Sequence, residues 1–288
     1  MTCSVEQVCQ SFGVSRQAYY KRQKRSVNNY IEKQVILDAV REIRRKQPRI
    51  GVRKLHRMLS PRFQEKGIKI GRDALFNLLR EEKLLVSKRR NHTRTTQSYH
   101  RFRTYKNLIR DLKITRPNQV FVSDITYIDT FEGFCYLALV TDVYSRKIVG
   151  YQLSQSLSIE FCLKALKQAL KGVINPQMLI HHSDRGIQYC SHAYVKLLKK
   201  NKVQISMTEK DHVYENSIAE RVNGILKHEF LLGERLSSFT VAKKLVQQSI
   251  RIYNEQRPHM SLDYSTPELK YAASWRCPVF FQVTDSCL

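Results

Sequence analysis

The chain predicts an α/β fold, a mixed sheet flanked by helices, preceded by a helical helix-turn-helix region. Three observations predict it. From Gln119 the apolar pattern takes the period of strands, and three strand patterns follow one another before helix and strand alternate. That order gives a mixed sheet covered by helices on both faces. Before Gln119 the apolar residues recur at helical spacing instead. Charge is divided along the same line: residues 1–118 hold 30 Lys/Arg against 9 Asp/Glu, a net of +21, whereas residues 119–288 hold 20 against 16.

A basic half joined to a near-neutral half points to a polyanion, with nucleic acid first and an anionic membrane second. No apolar run approaches the roughly 18–20 residues that a span needs, and no signal-type apolar stretch follows Met1, which sets the membrane aside. The cysteines (3, 9, 135, 162, 190, 277 and 287) are scattered and never paired as Cys-x-x-Cys. That pattern argues against a zinc ribbon or disulfide framework and for reduced thiols. The expectation is a cytoplasmic, nucleoid-associated protein. With 42% hydrophobic residues the chain can also build a real core.

Residues 4–24 read as a helix-turn-helix. Val5, Val8, Cys9 and Phe12 recur at helical spacing, Gly13 supplies a turn, and Ser15 is placed to cap a second helix carrying Arg16, Gln17, Tyr19, Tyr20 and Lys21. Those types suit groove and phosphate contacts; a helical hairpin with a solvated basic face is the plainer alternative. The expected segments are a helix-turn-helix at 1–30 and a helical DNA-binding domain at 31–86. In the second, Ile31, Val35, Ile36, Ala39, Val40 and Ile43 share a face, Arg44-Arg45-Lys46 and Pro48 end it, Pro61 and Gly67 break the next helix, and Arg72–Arg80 forms the last. Arg44, Arg45, Arg49, Arg53, Lys54 and Arg57 exceed what stability needs, because like charges at helical spacing repel. Residues 87–118 lack an apolar period and read as a basic linker. There Arg89, Arg90 and other cations alternate with Tyr99, Phe102 and Tyr105, a composition that tracks phosphates and stacks on exposed bases, or that of a solvated tether.

A core follows at 119–275 and a tail at 276–288. Within the core Val120–Ile128, Phe134–Asp142 and Lys147–Leu153 read as strands, Ser158–Gly172 as a helix, and Met178–His182 as a short buried strand of the parallel kind. His192–Asn201 is then a helix, Val203–Met207 a strand, and Ser217–Leu231 and Thr240–Asn254 helices.

Three carboxylates stand out. Asp124 lies mid-strand on the face of Val122 and Thr126. Ionised there, it costs several kcal/mol unless a cation meets it, which favours a metal ligand over a solvent-facing strand end. Asp184 follows a strand's carboxyl end, where ligand groups gather in α/β sheets; alone it is an ordinary turn residue, and His181 and His182 beside it favour function. Glu220 has 35 residues between it and Asp184. Ser217-Ile-Ala-Glu220 matches a capping box, in which Glu220 serves the helix end. Lys227, two turns on along the same face, favours a ligand beside a DNA-facing stripe; a glutamate that caps until DNA arrives would do both. Asp142, before Val-Tyr-Ser-Arg, reads as a turn cap rather than a fourth ligand. Carboxylates suit Mg2+ or Mn2+, and two such ions about 3.5–4 Å apart drive in-line phosphoryl displacement. No Gly-rich phosphate loop, Ser-His-Asp set or activated Cys competes.

Four stretches carry a resemblance: Asn118-Gln-Val-Phe-Val-Ser-Asp-Ile-Thr-Tyr-Ile, Thr141-Asp-Val-Tyr-Ser-Arg-Lys-Ile-Val-Gly-Tyr, His181-His-Ser-Asp-Arg-Gly-Ile-Gln-Tyr and Tyr253-Asn-Glu-Gln-Arg-Pro-His. They resemble the integrase-core transposases of bacterial insertion sequences, and among these the OrfB products of the insertion-sequence-three family. The resemblance implies an RNase H-like catalytic fold with Asp124, Asp184 and Glu220 as catalytic metal ligands and Lys227 at the family's basic position. It implies DNA cleavage to a free 3′-hydroxyl and joining of that hydroxyl to another phosphodiester, without a covalent enzyme intermediate. Its partners would be the element's terminal inverted repeats and target DNA, further copies of the chain on that DNA, and an upstream OrfA product or fusion. Departures are Phe121 where Trp is usual, Glu215 where Asp is common, and Arg221-Val-Asn-Gly in place of a Ser-aromatic-aromatic run. A DNA-binding repressor with an inert core and a non-specific nuclease of the same fold are the competing readings; the intact carboxylates favour the transposase.

Overall fold

The computed structural model describes residues 4–87, 102–209 and 216–273. The chain divides into two compact units, 1–85 and 86–288. The first is helical: α1 (Val5–Ser11), α2 (Arg16–Lys46), α3 (Val52–Glu65) and α4 (Arg72–Glu81). Ser4 and Gln7 close a capping box on α1, and Ser15 caps α2 by accepting from the Ala18 amide. Gly13 turns between them at φ +63, a conformation that glycine reaches without steric cost. Residues 4–24 thus hold a short helix, a turn and the start of a long one, and no break separates residues 1–30 from residue 31 onward. Helix α2 runs for 31 residues across that boundary, and it contains neither glycine nor proline to stop it.

The second half of α2 is anchored. Ile36, Leu37, Ala39 and Val40 join Leu55, Leu59, Phe63, Leu75, Leu78 and Leu79 in one core. Pro61, expected to break a helix, lies inside α3. An interior proline costs roughly 3 kcal/mol, and burying Leu55, Leu59 and Phe63 on the same face returns about 1.5–3 each.

The second unit holds β1 (Val120–Thr130), β2 (Gly133–Asp142), β3 (Ile148–Ser154), α5 (Ile159–Leu170), β4 (Ile180–Ser183), α6 (Ile187–Cys190), α7 (His192–Lys200), β5 (Gln204–Met207), α8 (Ser217–Glu229), α9 (Phe239–Glu255) and α10 (Pro267–Ala273). The sheet order is β3-β2-β1-β4-β5. The first three strands in sequence pair antiparallel, whereas β4 and β5 join β1 in parallel. This is the mixed sheet that the strand order predicts. Alternation along β2 divides the core. Ala138 and Val140 face Phe161, Ala165 and Leu166 of α5, while Leu137 and Leu139 face Val222, Leu226, Val246 and Ile250 of α8 and α9. Helix α5 rests so close on β3 that a Cβ at Gly150 would run into the Ala165 carbonyl oxygen and stand 2.9 Å from the Ala169 nitrogen.

Residues 102–118, expected within the linker, lie on this unit. The Leu108 amide donates to Ser206 Oγ at 2.9 Å, and Arg110 pairs with Glu209 at 3.0 Å. Ile109, Leu112 and Ile114 pack with Val120, Val122 and Ile180. Phe102, expected to stack on bases, sets its ring edge-on to His192 with centroids 5.7 Å apart. Arg89, Arg90, Tyr99, Glu215 and the tail 276–288 lie outside the described residues. Among the described residues, no helix is long and apolar enough to cross a membrane.

Candidate active site

The sheet brings two of the three carboxylates together. β1 and β4 pair in parallel from Val120–Ile180 to Ser123–Ser183. Asp124 and Asp184 come next on adjacent chains, which in a sheet lie about 4.8 Å apart. Alternation puts Asp124 on the face of Val122, and Val122 packs on Ala219 of α8. That helix supplies the rest. Asn223 Nδ2 donates to Asp124 Oδ2 at 2.7 Å, seating α8 against the middle of β1. Glu220 stands one turn before Asn223 and Lys227 one turn after it, so all three share a helix face.

Asp124 is where these groups meet. Its Oδ1 accepts from the Ile125 amide at 2.8 Å. Burial pushes its carboxyl up to about 7; the charge of Asp184 adds to that rise and Glu220 adds less, while the Asn223 and Ile125 bonds act against it. The residue keeps some accessible surface, yet protein packed around the carboxyl makes burial the leading cause. Lys227 feels the same surroundings: burial pulls its ammonium below the ordinary lysine range, and the charge of Asp124 resists. Glu220 is exposed and Asp184 half-buried. Among the described residues, no three His, Cys, Asp or Glu side chains are drawn close enough to clasp a single ion. Asp184 and Glu220 lie near enough to Asp124 for their charges to act on it, and an all-oxygen donor set of this kind fits a hard divalent cation.

Asp184 is held by its own turn. The Gly186 amide donates to its Oδ1 at 3.0 Å, and a Cβ on Gly186 would stand 2.9 Å from that oxygen. Arg185 Nε donates to the Thr208 carbonyl at 2.6 Å, tying the turn to the end of β5. The two histidines that favoured function at Asp184 serve as struts. His181 Nε2 meets Ser123 Oγ at 2.8 Å and Tyr194 Oη at 3.0 Å; His182 Nδ1 meets Ser206 Oγ at 2.8 Å. Burial, with His182 adding to it, holds the His181 imidazole down to about 3. These bonds brace β1 and β4 at the residues that lead into Asp124 and Asp184.

The capping box expected at Glu220 is not formed. Asn216 is the N-cap, without a side-chain cap bond, and Ser217 is already the first helical residue. Asn216 turns outward from the helix instead, donating from Nδ2 to the Ser123 carbonyl at 3.2 Å. Asp142 is the turn cap that its sequence suggests: fully buried, it accepts from the Ser145 amide at 3.5 Å. In the first unit Arg16, Lys21 and Arg53 are exposed and Lys54 half-buried, with Arg16 3.7 Å from Glu6. Arg44 leaves the set of surplus cations, because its Nη1 donates to the Leu84 carbonyl at 2.6 Å within a partly buried site. Asn223 is the contact that sequence reasoning passed over. Its signal was its position, midway between Glu220 and Lys227 on one face.

The integrase core domain family matches residues 114–212, and a second integrase core domain family matches 201–267. The chain is 37% identical to the uncharacterized 31 kDa protein of insertion element IS600 of Shigella sonnei over 265 residues, 90% of this chain and 96% of that protein. It is 32% identical to the transposase for insertion sequence element IS629 of Shigella sonnei over 227 residues, 78% of this chain and 75% of that one. The transposase InsF for insertion sequence IS3A of Escherichia coli K12 is 33% identical over 192 residues, 66% of this chain and 67% of that one. Among solved structures, the HTLV-2 integrase catalytic core domain in complex with magnesium is 16% identical at a TM-score of 0.44, covering 54% of this chain and 97% of that chain. Relatives of this identity run through both units, and the integrase core match spans the sheet that holds the carboxylates; the chain belongs to the integrase-core transposases of bacterial insertion sequences, enzymes of DNA recombination.

Proposed function

We propose that Asp124, Asp184 and Glu220 are the catalytic carboxylates of this transposase and that they hold two divalent cations, Mg2+ or Mn2+, during DNA cleavage and strand transfer. The observation that carries this reading is the electrostatic state of Asp124, whose carboxyl is raised by burial and by the charges of both Asp184 and Glu220. A buried carboxyl whose charge is disfavoured by two neighbouring carboxylates calls for cations beside it. Once bound there, the cations would activate the attacking oxygen and stabilise the leaving one in an in-line phosphoryl displacement.

The chain's own groups do the positioning. Asn223 holds one oxygen of Asp124 and the Ile125 amide the other, so the carboxylate is oriented before any ligand arrives. The Gly186 turn does the same for Asp184. Lys227, drawn inward beside Asp124, is suited to a phosphate next to the scissile bond. Arg16, Lys21, Arg53 and Lys54 in the helical unit, together with Arg89 and Arg90, meet backbone phosphates of the terminal repeats. Several copies of the chain assemble on paired element ends in the bacterial cytoplasm at the nucleoid, either with an upstream OrfA product or as a fusion with it.

The test is strand transfer on terminal-repeat DNA with magnesium. Asp184→Asn should lower the rate about a hundredfold or more while DNA binding persists, since the loss falls on metal affinity and chemistry. Full activity in that variant would sink the site assignment, and equal cleavage of random and terminal-repeat DNA would favour a non-specific nuclease.

A further inference from the structure

The Tyr253-Asn-Glu-Gln-Arg-Pro-His stretch contributes no group to the carboxylate site, yet Tyr253, Asn254 and Arg257 within it are each bonded through their side chains. Tyr253 Oη donates to the Arg146 carbonyl at 3.0 Å. Asn254 takes both main-chain groups of Ile148, accepting from its amide at 2.9 Å and donating to its carbonyl at 3.0 Å. These bonds fix the end of α9 to the start of β3. Arg257 then reaches the other way. Its Nε and Nη2 donate to the two oxygens of Glu229 at 2.8 and 2.7 Å, and its guanidinium carbon lies 5.8 Å from the Tyr253 ring centroid. The Arg257 side chain is 2% exposed and that of Glu229 17%.

A buried ion pair is a poor way to gain stability alone, because desolvating both charges offsets most of their attraction and an apolar pair of similar volume does as well. What a two-bond fork adds is direction. Glu229 ends α8, nine residues after Glu220. At about 100° per residue it stands half a revolution from Glu220, on the opposite side of the helix. A helix gripped there cannot roll about its axis without breaking two charge-assisted bonds. On the near side the Asn223–Asp124 bond, with the Asn216–Ser123 bond at the start of the helix, holds α8 to β1.

We infer that this stretch is a positioning device for the catalytic helix: through Glu229, Arg257 sets the rotation of α8 that aims Glu220, Asn223 and Lys227 at Asp124. The inference rests on the site assignment proposed above. Arg257 is a positioning residue and touches neither DNA nor cation.

Arg257→Lys tests it, since the charge stays and the fork is lost. Four quantities are measured on the full chain: thermal unfolding, affinity for terminal-repeat DNA, single-turnover strand-transfer rate at saturating DNA with magnesium, and amide hydrogen exchange across 222–228. The expected result is a cooperatively folded protein with DNA affinity within about twofold of the parent. Its rate should fall about tenfold to a hundredfold, as for a catalytic group displaced by roughly an ångström, and exchange along α8 should quicken. A parental rate overturns the inference, as does a rate loss that only follows the unfolded fraction with exchange in α8 unchanged. If Arg257→Lys does not fold, the double variant Arg257→Gln with Glu229→Gln removes both charges and takes the same measurements. Failure of both to fold makes the pair a requirement of folding and overturns the positioning role. Asp184→Asn run in parallel keeps the two readings apart. Full activity there removes the site assignment, while the exchange result still reports on whether Arg257 holds the helix.

Discussion

Two buried carboxyls on neighbouring strands, Asp124 and Asp142, are each pushed up to about 7, and by different surroundings. Around Asp124 stand two further carboxylates. Around Asp142, burial is the main cause, and the opposing influences are the amides of Ser145, Asn118 and Tyr144 and the Ser145 side chain. The first arrangement is suited to receiving a cation and the second to ending a strand. Asp142 also makes a pH prediction. Its folded value lies above the unfolded one of about 4, so between the two the native state holds the extra proton. Its contribution is therefore fully present below about pH 4 and is lost as pH rises toward 7, on the order of 2–4 kcal/mol. Asp142→Asn keeps an acceptor for the turn and cannot ionise. Urea unfolding at pH 5 and at pH 7.5 should show a smaller loss between the two conditions in the variant than in the parent; equal losses would show that Asp142 does not govern this slope.

At the scale of elements, contact between α5 and β3 depends on a missing methyl group. Gly150→Ala would drive a Cβ into the Ala165 carbonyl, and neither partner is a flexible side chain that can move aside. Overpacking of this kind costs about 1–3 kcal/mol, and here the upper end is expected. A shift of the urea midpoint to lower concentration with an unchanged slope is the expected reading, and an unshifted midpoint would show that the two elements separate freely. The elements themselves were largely legible in the sequence. The long helices of the second unit bury one face and keep a helical period, the strands show as β-rich or continuously apolar runs, and Asp124 and Asp184 could be read as lying within one strand and just after another. The parts that stayed hidden have physical reasons. The four residues of α6 are too few to show a period. Helix α2 continues past the expected boundary because its first half is exposed and so imposes no apolar pattern on the sequence. Residues 102–118 pack by isolated contacts of Ile109, Leu112 and Ile114. Asn223 and Arg257 take their meaning from partners 99 and 28 residues away, distances that no local window spans.

Taken whole, the molecule pairs a strongly basic first 118 residues with a nearly neutral remainder. Binding to DNA should therefore be dominated by counterion release. With roughly 6–10 phosphates neutralised, affinity should fall about 10³-fold or more between ~50 and ~200 mM salt. Titration of labelled terminal-repeat DNA across that range is the check, and a flat response would remove the phosphate-tracking role of the basic half. The proposed gathering of several copies on DNA would carry a hazard of its own, because crowded sheets tend to zip together along their margins. β3 is the outermost strand on its side. Asn254 already occupies both main-chain groups of Ile148, and Gln168 accepts from the Tyr151 amide. With those two donors answered from within, that margin offers less of a template to a neighbouring chain. The same asparagine that steadies α9 thus also covers part of the sheet's open margin.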